Sequence, residues 1–144
     1  MFRVTRQYRF AASHRLHSPE LSDEENRRVY GKCNNPYGHG HNYVLDVSAS
    51  APVVEETGWA VDVRLLDKLV SRQVLEPFDH RNLNEDATAF TSIPPTTENL
   101  AFEICRRLKH NWKEVFPGEW PQLEKVRIAE TARNIFEVKA DEVE

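Results

Sequence analysis

The sequence predicts an α+β domain: a four-stranded antiparallel sheet with two helices on one face, in the order β-β-α-α-β-β. Three patterns carry that expectation. Phe2–His14 and His39–Ala51 alternate apolar and polar residues with period two, as half-buried strands do. Residues 63–75 and 98–115 instead repeat apolar side chains at three- and four-residue spacing. Two more alternating runs, 123–130 and 135–140, are joined by the turn Thr131-Ala132-Arg133-Asn134.

Composition bounds the function. The 144 residues suit one domain, 1–144, with 40% hydrophobic and 29% charged residues. A net charge of −4 with no basic stripe argues against nucleic acid as the main partner. No apolar run approaches the ~18 residues of a membrane span, and Met1-Phe2-Arg3-Val4-Thr5-Arg6 lacks the apolar centre of a signal peptide. Two distant cysteines form no disulfide framework. A reducing, cytoplasmic setting with no membrane partner is the expectation.

In the first strand Phe2, Val4, Tyr8, Phe10 and Ala12 share one face, broken only by Arg6, and His14 ends the strand on that face. Residues 15–38 read mostly as loop, with a short helical turn at Ser22–Arg28 capped by Ser22 or Asp23. In the second strand His39, His41, Tyr43, Leu45, Val47, Ala49 and Ala51 share a face until Pro52 stops it. Asp62 caps the first helix, and Glu76-Pro77 ends it at Leu75 because the residue before proline is pushed out of the helical region. Thr96 or Thr97 caps the second helix, whose apolar stripe is Leu100, Ala101, Ile104, Cys105, Leu108 and Trp112. Such a sheet leaves edges exposed, which an oligomer would cover.

Four constellations carry chemistry. His14, His39 and His41 end neighbouring strands on matching faces, and three nitrogens with one open position suit a catalytic zinc ion. The blander reading of His14 is a core histidine satisfied by a backbone carbonyl. Cys33, in the loop before His39, reads as a fourth ligand, an inert thiol, or a thiolate base beside the metal, and its loop position favours the last. Asp79-His80 suits a proton relay or simply a polar loop. Glu130 shares the parity of Val126 and Ile128, with no cation of that parity on its strand. A planar N–H/NH₂ edge of a ligand would match its carboxylate; the alternative is a solvated strand end.

Taken together, the segments Phe10–Leu16, Leu21–Asn26, Gly31–Pro36, His39–Tyr43, Asp79–Asn84, Thr96–Ala101 and Glu130-Thr131 resemble the 6-pyruvoyl-tetrahydropterin synthases of the tunnelling-fold superfamily. The resemblance runs nearly end to end. It implies Zn²⁺ on His14, His39 and His41, and Cys33 as proton acceptor with Asp79 and His80 in its relay. It implies Glu130 as the pterin anchor, sometimes counted in the relay, and Thr96, Thr97 and Glu98 lining the pterin pocket. The implied reaction converts 7,8-dihydroneopterin triphosphate to 6-pyruvoyl-tetrahydropterin with loss of triphosphate. The implied assembly is a homohexamer of two stacked trimers, each closing its sheets into a β-barrel, with active sites at subunit interfaces. The nearest relative in reaction is 6-carboxytetrahydropterin synthase, where the cysteine stands closer to the histidine pair (C-x₃-H-G-H) than Cys33 does to His39. A non-catalytic zinc- or purine-binding module would need the histidines and Glu130 but not Cys33.

Overall fold

The computed structural model describes residues 1–144. Its strands are β1 (Phe2–His14), β2 (His39–Ala51), β3 (Arg81–Asn82), β4 (Gln122–Ala129) and β5 (Ile135–Lys139), in one sheet of order β3-β1-β2-β4-β5. The expected four-stranded antiparallel sheet is therefore a five-stranded mixed one. The extra strand runs parallel to β1 through only two pairs, Ala12 with Arg81 and Ser13 with Asn82. Two residues carry no alternation, so no sequence period announces them.

β1 and β2 pair without a slip from Phe2↔Ala51 to His14↔His39. The apolar parity of each strand faces the helices. Tyr43, Leu45, Val47 and Ala49 of β2 and Val126 and Ile128 of β4 are sealed from solvent. They share one core with Leu66, Leu69, Val70 and Val74 and with Leu100, Ile104, Cys105, Leu108 and Trp112. Each fully buried Leu or Ile contributes roughly 1.5–3 kcal/mol of transfer free energy. Cys105 lies in that core as expected, its thiol pushed up to about 11, mainly by burial. The opposite face is polar and laced by cross-strand hydrogen bonds such as Thr5 with Ser48 and Gln7 with Asp46. Arg6, the break in β1's apolar parity, reaches Asp67 with two nitrogens at 3.0 Å, and Tyr8 donates its hydroxyl to the same carboxylate at 2.7 Å.

The helices are α1 (Asp23–Tyr30), α2 (Val63–Val70), α3 (Glu76–Phe78), α4 (Leu83–Asp86) and α5 (Thr97–Val115). α1 replaces much of the expected loop. It starts in a full capping box, Ser22 accepting from the Glu25 amide and Glu25 accepting from the Ser22 amide. A 3₁₀ turn, Gly31–Asn34, follows and carries Cys33. The first long helix does not stop at Leu75. It widens into a π-helical turn, Ser71–Leu75, and continues through Pro77 to Phe78. Proline removes an amide and crowds the carbonyl four residues back, here Gln73. That carbonyl faces Arg107 Nη1 at 3.5 Å instead. The guanidinium of Arg107 also lies 4.6 Å over the Phe78 ring. It is held by Glu103, whose carboxyl burial pushes up but Arg106 and Arg107 hold lower by hydrogen bonding.

The turn into β2 depends on Gly38. Its φ is +71°, and an added Cβ would stand 2.9 Å from the His14 carbonyl oxygen. The two histidine-bearing strand ends therefore meet only because position 38 has no side chain. Gly38→Ala is expected to cost about 1–2 kcal/mol from the left-handed backbone alone, more once the carbonyl is displaced. Urea unfolding that shows less than about 0.5 kcal/mol, at unchanged slope, would contradict this account of the turn.

Candidate metal centre and active site

Because His14 pairs directly with His39, and Ala12 with His41, the three imidazoles stack at one corner of the sheet. Their ring centroids are 4.7–5.1 Å apart and the rings stand nearly edge-on to one another. His39 Nε2 and His41 Nε2 are 2.9 Å apart. Cys33 Sγ lies 3.6 Å from His39 Nε2, and Glu130 Oε1 lies 3.0 Å from His41 Nε2 and 3.8 Å from His14 Nε2. Five groups able to hold a cation thus converge on one point, in two overlapping sets: His14-Cys33-His39 and His14-His41-Glu130.

His14 is the informative member. It is fully buried, and its Nδ1 is 3.0 Å from the Pro95 carbonyl. A carbonyl only accepts, so Nδ1 carries the proton and Nε2 is left with a lone pair. That lone pair is buried and has no hydrogen-bond partner. The core-histidine reading holds at Nδ1, and Nε2 is left open to a ligand. Burial first, and the neighbouring His41 second, drop its pKa to about 4, so it stays neutral. His41 is likewise held below its usual value, mainly by burial, although Glu130 opposes this. The unprotonated His14 Nε2 faces the Glu130 carboxylate at 3.8 Å, lone pair against lone pair unless something positive lies between them. The donor set and the orphaned Nε2 fit a divalent metal ion.

Without that ion the environment opposes a thiolate. Burial, then the charge of Glu130, pushes the Cys33 thiol up. Cys33 itself is well fixed. Its carbonyl accepts from the Leu16 amide at 2.7 Å.

Glu130 follows β4, its side chain only 13% exposed, its amide donating to the Asn134 carbonyl. It turns inward, as its parity predicts, and not into water. The other expected site residues lie apart. Asp79 accepts from the Ala11 amide at 2.9 Å and lies 3.0 Å from His80 Nδ1. His80 is 82% exposed, has φ +59° and makes no hydrogen bond to Cys33. With Ala11, Ser13, Asn42 and His41 it lines a cleft of about 490 Å³, which meets the histidine cluster at His41. One chain therefore does not join Asp79-His80 to Cys33. Thr96 caps α5 by accepting from the Asn99 amide, Thr97 Oγ1 is buried without a partner, and Glu98 is exposed.

Pro95 has no sequence signal as a site residue, yet its carbonyl fixes the His14 tautomer. Pro94 completes the brace, its carbonyl accepting from the Asn99 side chain at 2.8 Å. Two carbonyls ahead of a helix cap, outside any strand, must find partners beyond the sheet ladder.

Comparison with known proteins agrees with this geometry. A family model described as "6-pyruvoyl tetrahydropterin synthase" matches residues 3–141. A 6-pyruvoyl tetrahydrobiopterin synthase of Poecilia reticulata is 44% identical over 92% of this chain and 86% of its own length. The Homo sapiens protein of the same name is 41% identical over 96% and 91%. The solved 6-pyruvoyl tetrahydropterin synthase of Caenorhabditis elegans superposes with a TM-score of 0.85 at 42% identity, covering 96% of this chain and 94% of that one. Sequence, fold and site agree, and the chain belongs to the 6-pyruvoyl tetrahydropterin synthase family.

Proposed function

We propose that this protein is a zinc-dependent lyase, a single domain spanning 1–144 and working in the cytoplasm as a homohexamer. Its reaction converts 7,8-dihydroneopterin triphosphate to 6-pyruvoyl-tetrahydropterin with release of triphosphate. The observation that carries the reading is the buried, unpartnered Nε2 of His14, facing His39, His41, Glu130 and Cys33 inside a family fold. No helix is long and apolar enough to cross a membrane, in keeping with a substrate taken from water.

His14, His39 and His41 are the residues to hold the zinc ion. When bound, zinc supplies Lewis-acid polarisation of side-chain oxygens on the substrate, which makes the adjoining C–H more acidic. Cys33 accepts that proton as thiolate, and the triphosphate departs by elimination. A nearby cation opposes the burial and the Glu130 charge that otherwise keep Cys33 protonated. Tautomerisation to the pyruvoyl product needs a second proton carrier, the role of His80 oriented by Asp79. Because His80 is exposed at the sheet edge, its partner is the Cys33 of a neighbouring subunit, with the β1 and β5 edges joining into a barrel. Glu130 anchors the N–H/NH₂ edge of the pterin bidentately, and Thr96, Thr97 and Glu98 line the pocket wall.

The deciding test is product identity. Incubation of the purified, metal-analysed protein with dihydroneopterin triphosphate should yield 6-pyruvoyl-tetrahydropterin by mass. A carboxy-pterin with released acetaldehyde would assign the reaction of the carboxy synthases instead. Cys33→Ala should retain one zinc per chain and lower kcat roughly a hundred- to ten-thousandfold. Zinc lost with the thiol would make Cys33 a ligand, and full activity would remove it from the chemistry. Glu130→Gln keeps shape but loses the charge. It should raise KM about tenfold or more, the scale of a charged hydrogen bond, and an unchanged KM would contradict the anchor role.

A further inference from the structure

Next to the histidine cluster lies a second cleft, of about 380 Å³, bordered by Arg15, His17, Gly38, Asn84 and Ser92 among others. Arg15 and Gly38 are the chain neighbours of His14 and His39, so the cleft adjoins the reaction centre. Its two basic side chains are organised by one buried residue. Asn34, beside Cys33, is only 5% exposed. Its Nδ2 donates to the Leu16 carbonyl at 2.7 Å and lies 3.1 Å from His17 Nδ1. The first bond fixes the orientation of the amide, so His17 Nδ1 must accept from it. The imidazole N–H then sits on Nε2. The Asn34 backbone carbonyl accepts from Arg15 Nε at 3.1 Å. Nη1 and Nη2 of Arg15 have no partner in the chain. The Arg15 backbone is in turn gripped on both sides by Asn84, which accepts from its amide at 2.7 Å and donates to its carbonyl at 2.8 Å.

An arginine held by its Nε with its terminal nitrogens free, and an imidazole held by Nδ1 with its N–H free, are two donors preset for an oxyanion. Building that arrangement from three asparagine-mediated contacts serves little purpose for folding alone, since the donors it orients end in solvent. We infer that this cleft is the subsite for the substrate's triphosphate, with Arg15 and His17 as its oxygen-binding residues and Asn34 as the residue that positions both. The inference rests on the proposed reaction for the identity of the anion. It also ties leaving-group binding to the base, because the residue that orients the anion donors is the immediate neighbour of Cys33. Glu85 is the one acidic group at this cleft.

The test compares two ligands that differ only in the triphosphate. Dihydroneopterin triphosphate and dihydroneopterin are titrated into zinc-loaded Cys33→Ala protein by pterin fluorescence, with Arg15→Gln, Ser92→Glu or Asn34→Asp added. Ser92 is exposed, so its new carboxylate adds charge at the cleft without touching the core. Each added change should weaken the triphosphate by about tenfold, the scale of a charged hydrogen bond, and leave dihydroneopterin within about twofold. Arg15→Lys should recover part of the loss, as a point charge without the fork. Triphosphate affinity unchanged in Arg15→Gln and Ser92→Glu overturns the assignment. So does equal weakening of both ligands, which would mean that the changes distort the pterin site. Failure of the wild-type protein to form the pyruvoyl product is a separate outcome. It would sink the reaction while leaving the ratio of the two affinities to score the subsite.

Discussion

The pairing of His14 with His39 is the contact on which the rest depends. β1 and β2 are joined over their whole length in one register, and that register sets both the core and the site. Side-chain period in a strand is two, so a slip of one residue would turn Leu45, Val47 and Ala49 to the polar face and send both histidines of β2 away from His14. The apolar residues at one end of the strands thus hold the ligand-bearing residues at the other. Gly38 completes the arrangement by letting the incoming chain touch the His14 carbonyl. Stability and function draw on the same ladder of hydrogen bonds, and neither can be re-registered without the other.

What the register assembles is unfavourable by itself. A buried lone pair on His14, two more imidazoles and the Glu130 carboxylate share a space with few protons to separate them. Leaving a polar atom buried and unpaired costs about 1–3 kcal/mol. The chain does not relieve this by turning His14 over, because the Pro95 carbonyl holds the ring's other nitrogen. Such local conflicts within an otherwise consistent fold are where ligands bind. A cation removes the conflict and also favours the ionised form of Cys33, which burial and Glu130 resist.

Much of this was legible in the sequence, because it follows from parity. Alternation alone gives the shared face of His39 and His41, the inward turn of Glu130 and the buried stripe of α5. The Arg6 break in β1 becomes intelligible once Asp67 is seen across from it. The parts that were not legible depend on contacts far apart in the chain. β3 is too short to show a period. The helix runs past Pro77 because a π turn and Arg107, thirty residues on, accommodate what a local rule forbids. The role of Pro95 needs a partner eighty-one positions away, as the separation of the bonded pair records. Asp79-His80 could be read as a relay from residue type, but its distance from Cys33 in the same chain is a matter of topology, and no spacing rule expresses it.

That separation is itself an argument about assembly. His80 adopts a left-handed backbone that is uncommon for a non-glycine residue and costs on the order of 1–3 kcal/mol. The surrounding structure enforces it. The His80 amide donates to the Ala11 carbonyl, the Ala11 amide donates to Asp79, and Phe78 just before them is sealed in the core against Phe10 and Phe90. All this order presents one imidazole to solvent, where its Nδ1 lies 3.0 Å from Asp79. Strain maintained for an exposed side chain gains nothing for the isolated fold. It gains something when another surface arrives, and the β1 and β5 edges offer the unpaired backbone groups through which a second copy would bring one. The Cys33 and histidine cluster lies at one corner of the sheet and Asp79-His80 at its outer edge, so the relay proposed above draws on a second copy of the chain.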